Sequence, residues 1–164
     1  MMPRSVKYEN LKPEDFDALV TGELTHYASW LEDELNDIIT SFFVVPGRSS
    51  AFKRLLLYRD GLTFQDKIET VRGMIPELGD KAGTNALKSM LKEIEEFKAS
   101  RNAMAHGLDA SDNSSRLIRK VEIINRAGKP NIIEISPQAH RRTIAKVESL
   151  LTRVQEVRKV LIGG

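Results

Sequence analysis

Three side chains with the chemistry of a phosphate-cleaving site lie close together in this chain: Arg101, Asn102 and His106. Asn102 and His106 are four residues apart, so on a helix they share a face and can touch. Histidine exchanges protons near neutral pH, and arginine binds a phosphate through two parallel N–H bonds. The trio therefore suits RNA cleavage, with Asn102 fixing the orientation of the imidazole.

Arg101 and His106 are separated by about 140° around a helix with 3.6 residues per turn. A straight helix does not aim the two side chains at one point. Three routes bring them together: the length of the arginine, a loosening of the helix before Gly107, or a second subunit that supplies its own copy across a two-fold axis.

The element that must carry these residues is an amphipathic helix predicted over residues 85–106, with Thr84 as its cap. Gly107 suits the position after a helix C-terminus, where a left-handed backbone is favoured. His106 is therefore expected in the last turn, near solvent. The apolar positions recur mostly at spacings of three and four: Leu87, Met90, Leu91, Ile94, Phe97, Met104 and Ala105.

The pattern Arg101-Asn102-x-x-x-His106 resembles the arginine–polar–x(3 to 5)–histidine motif of the HEPN superfamily. These are small helical-bundle ribonucleases and nucleotide-binding modules of toxin–antitoxin, defence and RNA-processing systems. A short helix opening at residues 62–68, followed by a longer helix that ends in the motif, fits the same family over about residues 14–160. The resemblance implies a bundle that dimerises along the motif helix, with metal-independent RNA cleavage as a common activity.

On this hypothesis His106 acts as general base on a ribose 2′-hydroxyl, or as acid on the leaving oxygen. Arg101 stabilises the charge that develops on the phosphate, and Asn102 orients the histidine or binds the phosphate. A homodimer would supply the second histidine that two proton transfers need. The expected product is a 2′,3′-cyclic phosphate, and the resemblance implies a toxin or defence effector restrained by an antitoxin or other partner protein.

Two alternatives stay open. The resemblance also covers regulators similar to the mannitol operon repressor, in which the motif would form a buried polar network or a nucleotide site without catalysis. Alternatively, Arg101 and Asn102 only tie helix ends together, and His106 is a cation favourable to the helix dipole. In one toxin subgroup a tyrosine two positions after the histidine is modified by a nucleotidyltransferase antitoxin; Leu108 stands there, which argues against that mode of restraint.

The sequence predicts no metal and no cofactor. The histidines His26, His106 and His140 have no spacing of paired ligands, and there is no cysteine. No glycine-rich phosphate loop or serine elbow is present. A cluster of carboxylates in the first helix is interpreted as a solvated acidic face: Glu32, Asp33, Glu34 and Asp37.

With 164 residues the chain is expected to form one domain over residues 13–162, after a flexible lead-in at 1–12. No run approaches the roughly 18 apolar residues of a membrane span, and no apolar signal segment follows the N-terminus. The absence of cysteine suits a cytoplasmic protein. We therefore expect a cytoplasmic location and no membrane partner.

Charge is unevenly distributed along the chain. Residues 1–100 hold 13 Lys and Arg against 17 Asp and Glu, whereas residues 101–164 hold 12 against 6. A basic C-terminal part is a plausible electrostatic footprint for nucleic acid such as RNA. On charge alone, a solvated basic helix face is the preferred explanation.

The fold class predicted is mainly all-α, an up-and-down helical bundle with a small β-hairpin before the last helix. A first helix should span 13–44, with Trp30 and Phe42 packed inward. A short helix is expected at 51–59. Thr63 with Asp66 resembles a capping box at the start of the helix that follows it. β-Branched runs on either side of a turn predict the hairpin over about 116–136, and Ser136 with Pro137 should start the last helix.

Basic residues of the hairpin and of the last helix are the candidate substrate contacts. For the hairpin side chains two interpretations stay open with equal weight: they clamp a phosphate backbone, or they belong to an oligomerisation arm. Positive charges in the first turns of the last helix oppose the helix dipole, which is compatible with an anion site, although exposed charge is the simpler explanation. These candidates are Arg116, Arg119, Lys120, His140, Arg141 and Arg142.

Overall fold

A computed structural model describes residues 7–79, 83–106, 108–109, 119–124 and 127–163. The side chains of His106, Leu108, Asp109 and Arg119 are not part of that description. Gly107, Arg116 and the segment 110–118 all lie outside the described residues, so the predicted C-terminal glycine and the first residues of the hairpin are not described.

Within the described residues, helices dominate and one small antiparallel sheet precedes the last helix, which confirms the predicted mainly-α class. The helices are α1 (Pro13–Phe43), α2 (Ser49–Phe52), α3 (Phe64–Met74), α4 (Thr84–His106) and α5 (Pro137–Gly163). The strands are β1 (Leu108–Asp109), β2 (Arg119–Ile124) and β3 (Pro130–Ile135). Short 3-10 turns lie at Tyr8–Asn10, Pro46–Arg48 and Ile75–Leu78, and a π-helix at Lys53–Leu57 continues α2.

Local capping explains where two of these helices begin. At α3 the Thr63 hydroxyl accepts the Asp66 backbone N–H at 3.1 Å, and the Asp66 carboxylate accepts the Thr63 N–H at 2.9 Å. The bonds that the Thr63 N–H and hydroxyl donate to this carboxylate lower the pKa of Asp66. At α5 the Ser136 hydroxyl accepts the Ala139 N–H at 3.1 Å, and Pro137 takes the first helical position. Both predicted caps are confirmed.

The strands form an antiparallel sheet in the order β1-β2-β3. Val121 stands opposite Ile133 in the β2–β3 ladder, and Lys120 stands opposite Glu134. Since side chains alternate along a strand, Val121 and Ile135 are buried while Ile132 on the other face is 59% exposed. One face of the predicted hairpin is therefore packed and the other faces solvent.

The chain divides into two compact units. The first consists of Met1–His26 and Lys98–Lys146 and contains the motif residues, the sheet and the start of α5. The 3-10 turn near the chain start contributes a buried tyrosine to it. Buried side chains of this unit include Tyr8, Phe16, Val20, Leu24, Ala103, Val121, Ile135 and His140.

The second unit consists of Tyr27–Phe97 and Val147–Gly164. Its core is built from the apolar stripes of α1, α3, α4 and α5, in keeping with the spacing of three and four that a buried helix face requires. The fully buried side chains include Leu31, Leu35, Ile38, Ile39, Leu57, Ile68, Val71, Leu87, Leu91, Ile94 and Val154.

The expected solvated acidic face of α1 is wrong. Glu34 is 9% exposed, and its carboxylate lies 2.5 Å from Nε of Arg158. Glu32 lies 2.5 Å from Nζ of Lys67. A neighbouring aspartate, Asp37, is paired with Lys53. These three carboxylates flank the buried stripe, so cations from later segments reach and partner them, whereas Asp33 is exposed as predicted.

Trp30 and Phe42 are 46% and 38% exposed, so their predicted place in the core is wrong. Leu31 occupies the buried face with no exposure, and the adjacent Trp30 is rotated by about 100° from it. Its ring instead meets Tyr27 edge to face at 5.1 Å. The Tyr27 hydroxyl donates to Glu148 at 2.6 Å.

The α3 cap yields a stability prediction. Thr63→Ala removes one acceptor of the capping box and should lower the free energy of unfolding by about 1 kcal/mol, measured by urea denaturation. Thr152→Ala is the matched control, because its hydroxyl bonds a carbonyl within α5 and such a bond adds little to helix stability. Equal effects of the two substitutions would contradict a capping role for Thr63.

Candidate functional site

The motif lies at the C-terminal end of α4, where the spacing predicted it. The helix ends at His106, so Arg101, Asn102 and His106 occupy its last two turns. The side chains of Arg101 and Asn102 are half-buried, and Ala103 beside them is 1% exposed. These two polar residues therefore sit at the border between the core of the first unit and solvent.

Arg101 has a nitrogen that is buried and unsatisfied. Its Nε–H donates to no acceptor among the described residues. Buried polar groups are nearly always hydrogen-bonded, and a guanidinium is a donor only. The guanidinium is a half-buried cation at the end of α4, so the local chemistry favours a carboxylate or phosphate ligand over a cation.

The sheet begins immediately after the motif. Leu108 and Asp109 leave the end of α4 and pair as β1 with β2, opposite Glu122 and Val121. Strand β2 of the hairpin therefore pairs with Leu108, which lies two positions after His106. Sequence reasoning missed β1 because two residues carry no alternation, and because its partner strand follows only after residues 110–118.

The candidate contacts on the hairpin are only partly described. Arg116 lies outside the described residues, and Arg119 is described through its backbone, opposite Ile135. Lys120 is exposed and stands opposite Glu134 in the ladder. Opposite charges facing each other across strands attract, so an acid offsets part of the positive charge expected on this hairpin.

His140, the first of the candidates on α5, is 3% exposed. Its Nε2 lies 3.3 Å from a carboxylate oxygen of Glu23, and the Tyr8 hydroxyl donates to the same carboxylate at 3.0 Å. The rings of Tyr8 and Phe16 meet the imidazole edge to face at 5.2 and 6.4 Å between centroids. Burial lowers the pKa of His140, and the nearby Glu23 carboxylate only partly opposes that shift.

Arg141 forms an ion pair with Glu9 and covers the Tyr8 ring, with its guanidinium carbon 5.2 Å from the ring centre. Hydrogen bonding to Arg141 lowers the pKa of Glu9 to about 2. Arg142 is exposed. His140 and Arg141 therefore contact acids of the first unit, whereas Arg142 lies on the surface.

Sequence reasoning missed the acids and the tyrosine that hold His140 and Arg141. Tyr8 and Glu9 lie in the segment expected to be a lead-in, more than 130 residues from Arg141. Glu23 is 117 residues from His140. No local spacing reports contacts over such separations, so only the folded chain reveals them.

The described part of the chain holds neither a cluster of metal ligands nor a helix that could span a membrane. No group of three histidine, aspartate or glutamate side chains there is placed to hold a metal ion. Its helices are also too polar or too short to cross a bilayer.

Comparison of the chain with protein-family models, curated proteins and solved structures finds no match. The resemblance to the HEPN superfamily therefore rests on the motif residues and the order of the helices. The nuclease hypothesis and the dimer that it implies stay predictions.

Buried His140 yields a pH prediction. Its pKa is lowered from the ordinary 6.5, so below that pH the unfolded chain binds more protons than the native chain. The contribution of neutral, buried His140 to the free energy of unfolding should be fully present above about pH 6.5 and should decline as the pH falls toward 5. His140→Gln should reduce this decline in urea unfolding at pH 7, 6 and 5.

His26→Gln is the matched control, because the His26 side chain is exposed on α1. The ion pair of Glu9 contributes little to this decline, since both its ordinary pKa of 4.5 and its native pKa of about 2 lie below the range tested. The same decline in the parent and in His140→Gln would show that another group governs stability in this range.

Proposed function

We propose that the chain is a metal-independent endoribonuclease of the HEPN type, with Arg101, Asn102 and His106 as its catalytic residues. The observation that carries the proposal is the unsatisfied Nε of Arg101, half-buried beside the end of α4. A donor left free at the motif suits an anionic ligand, and RNA offers a phosphate at every nucleotide.

The chemistry follows from these residue types. His106 removes the proton of a ribose 2′-hydroxyl, and the 2′-oxygen attacks the adjacent phosphorus. The bond from phosphorus to the 5′-oxygen breaks, and that oxygen takes a proton from the His106 of a second copy. The products are a 2′,3′-cyclic phosphate and a free 5′-hydroxyl. Arg101 stabilises the charge on the phosphate oxygens, and Asn102 holds the imidazole or the phosphate.

Two further features support an RNA substrate. The sheet follows the motif directly through β1, and Lys120 on its β2 strand is exposed. Arg142 is an exposed cation near the start of α5. We propose that these cations contact the RNA backbone, that the active form is a cytoplasmic homodimer, and that a partner protein restrains it.

The proposal is tested by RNA cleavage in EDTA with purified full-length chain. His106→Ala should reduce the rate by about 100-fold or more, the usual contribution of a general acid or base. Arg101→Lys should also lose activity, because an ammonium lacks the planar fork that binds phosphate in a bidentate way. The product ends should be 2′,3′-cyclic phosphates.

Lys92→Ala is the control on the same helix, since it removes an exposed cation outside the motif. Light scattering checks that each variant keeps the parent's oligomeric state. Equal cleavage by the parent and His106→Ala would sink the proposal. Binding of RNA without cleavage, lost in Arg101→Lys, would instead favour the non-catalytic binding module.

A further inference from the structure

The chain reversal that follows α1 exposes an unusual number of large apolar side chains. We name residues 42–59 the reversal segment; it contains the end of α1, the short helix α2 and the π-helix Lys53–Leu57. Clustered apolar side chains on a protein surface mark interaction sites. Among the described residues, six of the eleven exposed large apolar side chains belong to this segment: Phe42, Phe43, Val45, Leu55, Leu56 and Tyr58.

The second half of the segment is an ordered helix that is held against α1. Lys53 forms an ion pair with Asp37, so the helix runs back along the last turns of α1. Leu57 is 1% exposed, whereas its neighbours Leu55 and Leu56 are 61% and 52% exposed. One leucine therefore anchors the helix in the core of the second unit, and the other two face solvent.

The reversal segment carries cations and no acid. Between Asp37 and Asp60 the chain has four Lys or Arg residues and no Asp or Glu. Lys53 is partnered by Asp37, but the three arginines are exposed and form no ion pair within the described ranges: Arg48, Arg54 and Arg59. Other arginines of the chain do pair with carboxylates, namely Arg72, Arg141, Arg153 and Arg158. The segment therefore offers three positive charges to an anionic partner.

Apolar and cationic side chains share the same surface of this segment. Leu56, Tyr58 and Arg59 border one open depression of about 560 Å³. Arg54 directly precedes the exposed Leu55 in the helix. An arginine has an apolar stem and a charged head, so this surface matches a boundary between an apolar layer and a negatively charged one.

The charge pattern argues against a second copy of the chain and against RNA as the occupant. A two-fold contact places the same surface against itself, which would bring the unpaired arginines of both copies together. Binding of single-stranded RNA depends on rings that stack with bases. Val45, Leu55 and Leu56 have no ring, and they are all more than half exposed.

A helix of an acidic partner protein would need an apolar groove. The open depression has only Leu56 and Tyr58 of the six exposed apolar side chains in its lining. A lipid surface accounts for the whole set, because leucine and phenylalanine enter the boundary of the acyl layer while basic residues stay at the headgroups.

We propose that the reversal segment docks on the surface of a bilayer that contains anionic phospholipids. The six apolar side chains enter the acyl boundary, and Arg48, Arg54 and Arg59 contact the lipid phosphates. Such docking needs no spanning helix, so the proposal departs from the expectation of no membrane partner, which rested on the lack of a long apolar run. The surface belongs to the second unit, and its binding does not depend on the proposed nuclease activity.

The first experiment measures cosedimentation of the full-length chain with lipid vesicles. One set contains phosphatidylcholine with about one quarter phosphatidylglycerol, and the matched set contains phosphatidylcholine alone. In about 0.1 M salt we expect saturable binding to the anionic set, weakening as the salt concentration rises. Binding to the neutral set should be about 100-fold weaker, roughly fivefold for each arginine at the surface.

The second experiment separates the apolar from the charged contribution. The double variant Leu55→Ser with Leu56→Ser should bind anionic vesicles about tenfold more weakly or less, because two apolar side chains no longer leave water. Replacing Arg48, Arg54 and Arg59 together by Gln should reduce binding to the level of neutral vesicles. The matched control joins Lys159→Gln with Val160→Ser, an exposed cation and an exposed apolar side chain of α5, and should change nothing.

Insertion into the lipid has a spectroscopic readout. Phe43→Trp adds a second indole to a chain whose single tryptophan is Trp30, outside the reversal segment. On anionic vesicles the emission of the new indole should shift to shorter wavelength, after subtraction of the Trp30 signal of the parent. Adsorption by charge alone would leave this emission unchanged.

Several results would overturn the proposal. These are no binding to anionic vesicles, equal binding to both vesicle sets, or parent-like binding by the double leucine variant. A smaller oligomer of that variant in light scattering without lipid would instead make the surface an interface between copies. If the variant fails to fold, the emission of Phe43→Trp decides, and an unchanged spectrum on anionic vesicles rejects the proposal.

Discussion

Burial of one face of α1 is the constraint on which the rest of the structure depends. Phe16, Val20 and Leu24 are buried in the first unit, and Leu31, Leu35 and Ile38 in the second. A helix of 31 residues whose apolar stripe is buried from Phe16 to Ile39 brings the charges that flank the stripe close to the core. Those charges then need partners, because an unpaired buried charge is costly.

The partners come from distant segments and explain much of the polar structure. Lys67 of α3 reaches Glu32, and Arg158 of α5 reaches Glu34. In the first unit, His140 and Tyr8 share the carboxylate of Glu23. These buried polar groups are thus held by specific companions, and such pairs fix which segments pack together.

One polar atom of the motif stands out against this background. Nε of Arg101 is buried and has no hydrogen-bond partner among the described residues. Because buried polar groups are nearly always hydrogen-bonded, this donor supports the anion site that we propose at the end of α4.

Local interactions explain what the sequence by itself determined. The spacing of apolar residues predicted the helices. The Thr63 and Ser136 caps predicted where two of them begin, and the β-branched runs predicted the hairpin. Each of these features depends on residues a few positions apart. The position of Arg101, Asn102 and His106 at the end of a helix followed in the same way. Only the tertiary structure decided the pairing of β1 with β2, the exposure of Trp30, and the burial of His140 against Glu23. These depend on contacts between segments far apart in the chain, for which a local pattern carries no signal.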